Sequence, residues 1–480
     1  MTATGVNRAP ALRSVVVVGH GVVARTAALA LARGTPGASV TLVPAPIAPG
    51  ALADWFPTLL ASGRDAPQLW GTTGDALLRA GVATPRLAAA FDAWPRNGRW
   101  LHPEGSPTRM AGPGATHARW MNAEPHADVP TFEAMFPATA MLDAGTFAIE
   151  PPAPLAEADH ALCLDPRRLV EWLSPRLRAA GVVTASAPFA RVTLDGRGRV
   201  DAIQLHDGCA ITGDLIVDAS GPPALVAGAS RTDWLDWSDP LPEDRMLIAA
   251  ATDQTPSMVD RYRLLPFGWD ASWPFPVRPL RAVAYRGGSC TDDDARAALG
   301  ADLDSGAIPI APGRRAEAWR GNCVAIGEAS VQPGPLRLAG FTLAQAQLSL
   351  LLDLLPARDM PRSIVTAYNV RAAARADRLR DWLAAHRCEG AGATPNDLPA
   401  LAATLTRFRR NGGLPHFDEE TASEAAWHAV LIGQGVRAAR AVPPVIGDDT
   451  RLFAMAARAA AARMVEAAGA LPSLSELRNR

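Results

Sequence analysis

Residues 14–34 read SVVVVGHGVVARTAALALARG, and this stretch decides the fold. Four consecutive valines after Ser14 predict a strand buried on both faces, because β-branched side chains suit a pleated, water-free setting. Gly19-His20-Gly21-Val22-Val23-Ala24 follows, and then an Ala/Leu-rich run of helical character. Strand, tight glycine turn and helix open a dinucleotide-binding α/β unit. The glycines let the backbone approach a diphosphate closely, and the helix N-terminus aims N–H groups at it. Residues 38–43, ASVTLV, supply the next strand. That strand would be expected to end in Asp or Glu for the adenosine ribose, but Val43 runs into Pro44. His20 is read as incidental.

Further along, residues 51–160 are rich in Pro and Gly and read as an irregular cap with a helix at about 73–93. Residues 165–181 carry an amphipathic helix pattern that Pro175 would bend. Strands joined by glycine turns follow to about residue 212, and GDLIVDASG, 213–221, is another buried strand ending at glycine. Asp218 there either braces the turn around Gly221 or faces a ligand. Residues 243–290 alternate as sheet, 322–327 form a core strand, and FTLAQAQLSLLLDL, 341–354, is a largely apolar helix. Gln345 on that helix either packs or touches the loop before it. After about 360 the chain is mainly helical, with a Gly/Pro-rich break near 389–399 and a last helix near 451–469.

A nucleotide strand at the start, a mid-chain strand ending in DASG and a late strand ending in Gly-acid-Ala describe a two-domain flavoprotein. The fold class is α/β: a Rossmann-like FAD-binding domain with an inserted mixed β-sheet substrate domain and a mainly helical C-terminal region. The expected divisions are 1–95 and 161–235 for two parts of the FAD-binding domain, and 96–160 for the substrate or cap region. The substrate-domain sheet takes 236–317, the flavin loop and helix 318–355, and the helical C-terminal region 356–480.

Composition narrows the function. The chain has 480 residues, 48% of them hydrophobic and 20% charged, with a formal charge of -1, which excludes whole-chain disorder and disfavours nucleic acid or an anionic membrane as partner. No apolar run reaches the length of a membrane span. Five cysteines are odd in number, scattered and free of CxxC, so a cytoplasmic setting without a disulfide framework is expected. No histidine or cysteine grouping has metal-ligand spacing, and no metal is expected. The sequence contains no lysine, so all 47 basic residues are arginine and no side-chain amine is on offer.

Five segments, taken in order, resemble the flavin-dependent tryptophan halogenases. They are the turn at 19–24; DLIVDASG at 214–221; and Gly313-Arg314 with WRGNCVAIGEA at 319–329, continuing through Pro335-Leu336 and Gly340 to Gln345-Ala346. The fourth is Tyr368-Asn369 with RDWLAAH at 380–386, and the fifth is WHAVLIGQG at 427–435. The resemblance implies a flavin monooxygenase-like fold that binds FAD, with reduced flavin delivered by a separate reductase. Oxygen and halide then give a hypohalous acid, which a lysine captures and a glutamate helps deliver to an aromatic ring. Cofactor contacts are implied for Gly19, Gly21, Ala24, Gly221, Gly327, Glu328, Pro335, Leu336 and Gly340. Glu328 is expected to hold the ribityl chain, or else to be a solvated strand-end residue.

The departures fall on the chemistry. The nearest counterpart of the family lysine is Arg96, in Pro95-Arg96-Asn97-Gly98, and the family glutamate is replaced by Arg337 in GPLRLAG. Arginine stays protonated with a delocalised charge and is a poor nucleophile. If both line the pocket, they would attract an anionic substrate; otherwise Arg96 is a surface turn residue. The family's Trp-x-Trp-x-x-Pro signature, which the resemblance implies discourages ordinary monooxygenation, is degraded to Trp273-Pro274-Phe275-Pro276-Val277, and Trp273 and Phe275 are the candidates for the substrate pocket. His386 and His428 are read as structural. The leading reading is an FAD-dependent oxidoreductase that oxidises or oxygenates a small-molecule or peptidyl aromatic substrate, with a homodimer among the expectations. The alternatives are a true halogenase with an altered site and a non-catalytic, halogenase-like ligand-binding protein.

Overall fold

The computed structural model describes residues 11–94, 98–112, 114–230, 232–253, 255–300, 306–387, 398–440, 445–474 and 476. The valine run forms the strand Ser14–Val18, fully buried from Val15 onward, and the helix Val22–Gly34 follows the glycine turn. Ser14–Val18 pairs in parallel with Ser39–Val43 on one side and with Leu215–Asp218 on the other. The sheet has six strands, in the order Trp319–Arg320, Cys323–Ala325, Leu215–Asp218, Ser14–Val18, Ser39–Val43 and Val183–Thr184. Strands far apart in sequence thus meet side by side, which collects the DASG turn, the glycine turn and Glu328 at one end of the sheet.

A second sheet of seven strands runs from Ile308–Pro309 through Arg245–Ala250, Leu280–Tyr285, Gly268–Trp273 and Val259–Leu265 to Ala88–Asp92 and Arg99–Pro103. Here the expected helix at about 73–93 is corrected. Helix covers only Gly74–Arg79, and the chain then turns at Gly81 (φ +66°) into the strands Ala83–Arg86 and Ala88–Asp92. The alanine run 88–90 has high helix propensity, but it is buried on both faces between two neighbouring strands, and tertiary pairing overrides propensity. The helix Pro166–Ala179 continues through Pro175, with Asp165 accepting the Arg168 N–H at its start. The Gly/Pro-rich break near 389–399 falls mostly outside the described residues. The last helix is Thr450–Gly469, and no helix among the described residues is long and apolar enough to cross a membrane.

Two side chains fasten the sheets and turns. Asn322 imitates a strand peptide: its Oδ1 accepts the Val200 N–H at 2.8 Å and its Nδ2 donates to the Val200 carbonyl at 3.0 Å. Asp218 is wholly buried and accepts four hydrogen bonds, from Ser220 N and Oγ and from Val226 N and Ala227 N. Asp218 therefore braces the turn around Gly221. Asp218→Ala would strand buried N–H groups at about 1–3 kcal/mol each. We expect a clear fall in the urea midpoint, and an unchanged midpoint would contradict the bracing role.

Candidate functional site

Two clusters stand where the sequence places chemistry. The first surrounds Arg337. Its guanidinium is buried, with Nη2 donating to Glu104 Oε1 at 2.6 Å, and its backbone N–H donates to the Tyr262 hydroxyl at 3.1 Å. Arg337 and Leu338 both hold left-handed backbone, φ +63° and +52°, which is costly for side-chain-bearing residues and persists only where the surroundings impose it.

Arg86, which sequence reasoning did not single out, enters the same cluster from the strand Ala83–Arg86. Its Nη1 donates to Asp260 Oδ2 at 2.6 Å and its Nη2 to Glu104 Oε1 at 3.2 Å. Burial disfavours the charged guanidinium, but the carboxylates of Asp260 and Glu104 outweigh it and hold Arg86 cationic. Two arginines and two acids, each at most 5% exposed, thus balance one another. His102 and His386 lie alongside with stacked rings. Burial first, and the Arg337 charge second, push both pKa values down, His386 to about 3, so both are neutral. Arg337 Nε and Nη1 and Arg86 Nε are buried without a partner among the described residues. The cavity beside Arg337 measures about 20 Å³, room for a single water.

The predicted pocket aromatics are packed rather than open. Trp273 donates its Nε1 to the Tyr262 hydroxyl at 3.2 Å, and Phe56 lies 5.9 Å from the rings of both Trp273 and Phe275. Arg96 lies outside the described residues, so the arginine that shares an acid with Arg337 is Arg86. The signal that could have found it is a lone charge inside an otherwise apolar stretch, GVATPRLAAAF.

The second cluster is the glycine cradle. Gly19 is required by packing, since a Cβ there would lie 2.5 Å from the Ala219 carbonyl oxygen and 2.8 Å from Ala24 Cβ. The N-terminus of the helix Val22–Gly34 faces the carboxyl of Asp54, whose Oδ1 accepts the Val23 N–H at 2.9 Å. A Cβ on Gly21 would sit 2.1 Å from Asp54 Cγ. Asp54 belongs to the four-residue helix Leu52–Trp55, and burial pushes its carboxyl up to about 7 against the pull of the Val23 and Val22 N–H groups. Glu328 is likewise buried. Its Oε1 accepts the Ala53 N–H at 3.0 Å, and burial, with the Asp54 charge second, pushes it well above the usual carboxylate range. Gly221 (φ +77°) would bring a Cβ within 3.2 Å of Ala51 Cβ, and Gly340 would bring one within 3.5 Å of Ala53 Cβ. Gly327 donates its N–H to Gln347 Oε1. Pro335 and Leu336 are buried in the loop before Gly340. Gln345 links Trp70 Nε1 to Thr26 Oγ1, a packing role.

Elsewhere, His117, Glu424 and His428 bring ligand atoms within 4.8 Å of one another. The two imidazoles are stacked with centroids 3.6 Å apart, so their in-plane lone pairs run side by side rather than converging on one ion.

A family model described as tryptophan halogenase matches residues 14–447, and the chain belongs to that family. Tryptophan 6-halogenase SttH of Streptomyces toxytricini is 27% identical over 282 residues, 54% of this chain and 53% of that protein. Tryptophan 7-halogenase RebH of Lentzea aerocolonigenes is 28% identical over 211 residues, 41% of this chain and 39% of that one. The chain spans about half the length, or less, of these curated relatives. The solved structure of BrvH, a flavin-dependent halogenase from Brevundimonas sp. BAL3, superposes with a TM-score of 0.87 at 26% identity, covering 98% of this chain and 99% of that one. Xcc4156, a flavin-dependent halogenase from Xanthomonas campestris, gives 0.86 at 23% identity over 98% of each chain, a likeness of fold. Flavin-dependent halogenases of this family use FAD, act on aromatic substrates and typically take reduced flavin from a separate reductase. As folded here, the cradle does not fit the diphosphate of that cofactor, because the Asp54 carboxyl lies against Gly21 and holds the Val23 N–H.

Two outcomes follow. Glu104→Ala leaves Arg337 without its acid and Arg86 with one of two, and breaking a buried pair costs about 3–5 kcal/mol. The denaturant midpoint should fall accordingly, and Glu104→Gln should lose less. The raised pKa of Asp54 means that the folded state favours the protonated carboxyl. Its contribution is full below the ordinary 3.8 and is lost as pH rises through about 7, with Glu328 facing it and titrating in the same direction. Asp54→Asn should therefore flatten the decline of melting temperature across that window, measured by thermal scans at stepped pH.

Proposed function

We propose that this chain is a halogenase-family protein that has left the flavin reaction and binds a ligand. The observation that carries this reading is the self-neutralised network of Arg86, Glu104, Asp260 and Arg337 beside only about 20 Å³ of space. Small-molecule sites usually need some 300–1,000 Å³, so this cavity as folded is too small for an aromatic ring. No amine is present to carry an oxidant, and both family positions that should hold lysine and glutamate are assigned to arginine.

The ligand seat in this reading is a separate cavity of about 590 Å³ behind the strand Ala83–Arg86. Leu78, Phe147, Ile149 and Leu474 line it with apolar surface, and the exposed Arg79 and Arg168 line it too, Arg79 pairing with Glu150 at 3.6 Å and Arg168 donating to the Gly81 carbonyl at 2.7 Å. An apolar floor with cationic edges suits a small or peptidyl aromatic group bearing a carboxylate. The purified chain, given reduced flavin, oxygen and chloride or bromide with aromatic acids, should yield no product by mass spectrometry. Calorimetry should detect binding of an aromatic carboxylate that Arg79→Ala with Arg168→Ala weakens about tenfold, one lost charge-assisted contact or so. A halide-dependent mass increase in the substrate would overturn the reading.

A flavin-dependent oxidation or oxygenation keeps one observation in its favour. Gly19, Gly221 and Gly327 retain the positive-φ turns that such a cofactor site uses, at +148°, +77° and +60°. Oxygenated product without halide dependence would establish it.

A further inference from the structure

We propose that the dinucleotide cradle of this chain is closed by its own residues 51–54, with the Asp54 carboxyl in the place of the diphosphate, so that the folded protein does not take up FAD. The glycine turn and helix N-terminus of such a cradle work by leaving backbone N–H groups unpaired and a side-chain-sized gap above them. Here the Asp54 carboxyl intrudes on both. The Val23 N–H is taken by Asp54 Oδ1 at 2.9 Å, and the gap that Gly21 leaves is filled to within 2.1 Å by the same carboxyl. A carboxyl oxygen is the same kind of acceptor as a phosphate oxygen, so the helix end is capped rather than waiting for a ligand.

The other end of the cradle gives an independent observation. Glu328, the acid expected to meet the ribityl hydroxyls, accepts the Ala53 N–H at 3.0 Å. Ala51 lies against Gly221, and Ala53 against Gly340. One four-residue segment thus covers four of the predicted cofactor residues: Gly21, Gly221, Glu328 and Gly340. Nor does it lie loosely there, since Ala51, Leu52, Ala53 and Asp54 are all at most 6% exposed. Admitting a diphosphate would require that segment to leave, which would expose Leu52 and strip Glu328 of its donor. The second strand adds no compensating ribose contact, because it ends at Val43-Pro44.

The closed cradle and the neutralised arginine network are separate features, and the experiment keeps them apart. Equilibrium dialysis of the full chain against FAD, and against ADP as a diphosphate without the flavin ring, should show no saturable uptake. Hydrogen exchange should find the Val23 amide protected in the free protein and unchanged by FAD. Asp54→Gly, checked for folding by circular dichroism, should bind ADP at least tenfold more tightly than the parent chain. Saturable FAD binding by the parent chain would overturn the proposal, whether or not any product forms. So would a folded Asp54→Gly chain with no gain in ADP binding. If that variant fails to fold, the Val23 amide decides: fast exchange in the free protein would equally overturn it. FAD uptake without turnover would leave the ligand-binding reading standing and remove only this inference.

Discussion

Keeping two guanidinium groups out of water is the constraint around which this molecule is arranged. An isolated buried charge costs several kcal/mol, and it is tolerated only where an opposite charge meets it with good geometry. Arg86 and Arg337 meet that condition through one shared acid, Glu104, and a second, Asp260. The four residues come from the strand Ala83–Arg86, the end of the strand Arg99–Pro103, the strand Val259–Leu265 and the loop before Gly340. The network therefore joins the loop before Gly340 to the seven-stranded sheet. The Tyr262 hydroxyl adds to the join by accepting the Arg337 N–H while donating to Asp260 at 3.3 Å.

The two clusters differ in charge: one is two carboxyls, the other two arginines against two acids. In the glycine cradle two carboxyls, Asp54 and Glu328, are buried near each other; burial raises the cost of ionising both, and the Asp54 charge adds to that cost at Glu328. Beside Arg337, burial first and the Arg337 charge second press the imidazoles of His102 and His386 toward neutrality. Glu328 lies against Gly340 and the arginine network holds Arg337, so the loop 335–340 touches both clusters.

Much of the architecture was legible because it depends on local pattern. The valine run, the glycine turn, DLIVDASG and the apolar helix after Gly340 each carry a periodicity or a turn residue that fixes their state. The site was less legible, and the reason is geometric. Arg86 and Asp54 are single charges inside the apolar stretches GVATPRLAAAF and ALADWF. Their partners lie 18, 174 and 31 residues away, so no spacing rule links them. The alanines of 88–90 misled in a related way, since they read as helix until a parallel neighbour, Val259–Leu265, claims them. Arg337 was found because its flanking Pro335-Leu336 and Gly340 fixed its place, although nothing in that motif revealed Glu104.

The left-handed turn at Arg337 and Leu338 makes two distant positions dependent on each other. An arginine there has a tolerable home only when Glu104 is already present, and the strained backbone is held by contacts that the arginine itself makes. Placing a glutamate at 337 would set a third carboxyl beside Glu104 and Asp260 with only Arg86 to answer them. Like charges in a dry interior repel strongly. An acid at 337 would therefore have to be accompanied by changes at Glu104 or Asp260, so this position cannot be exchanged for its opposite charge on its own.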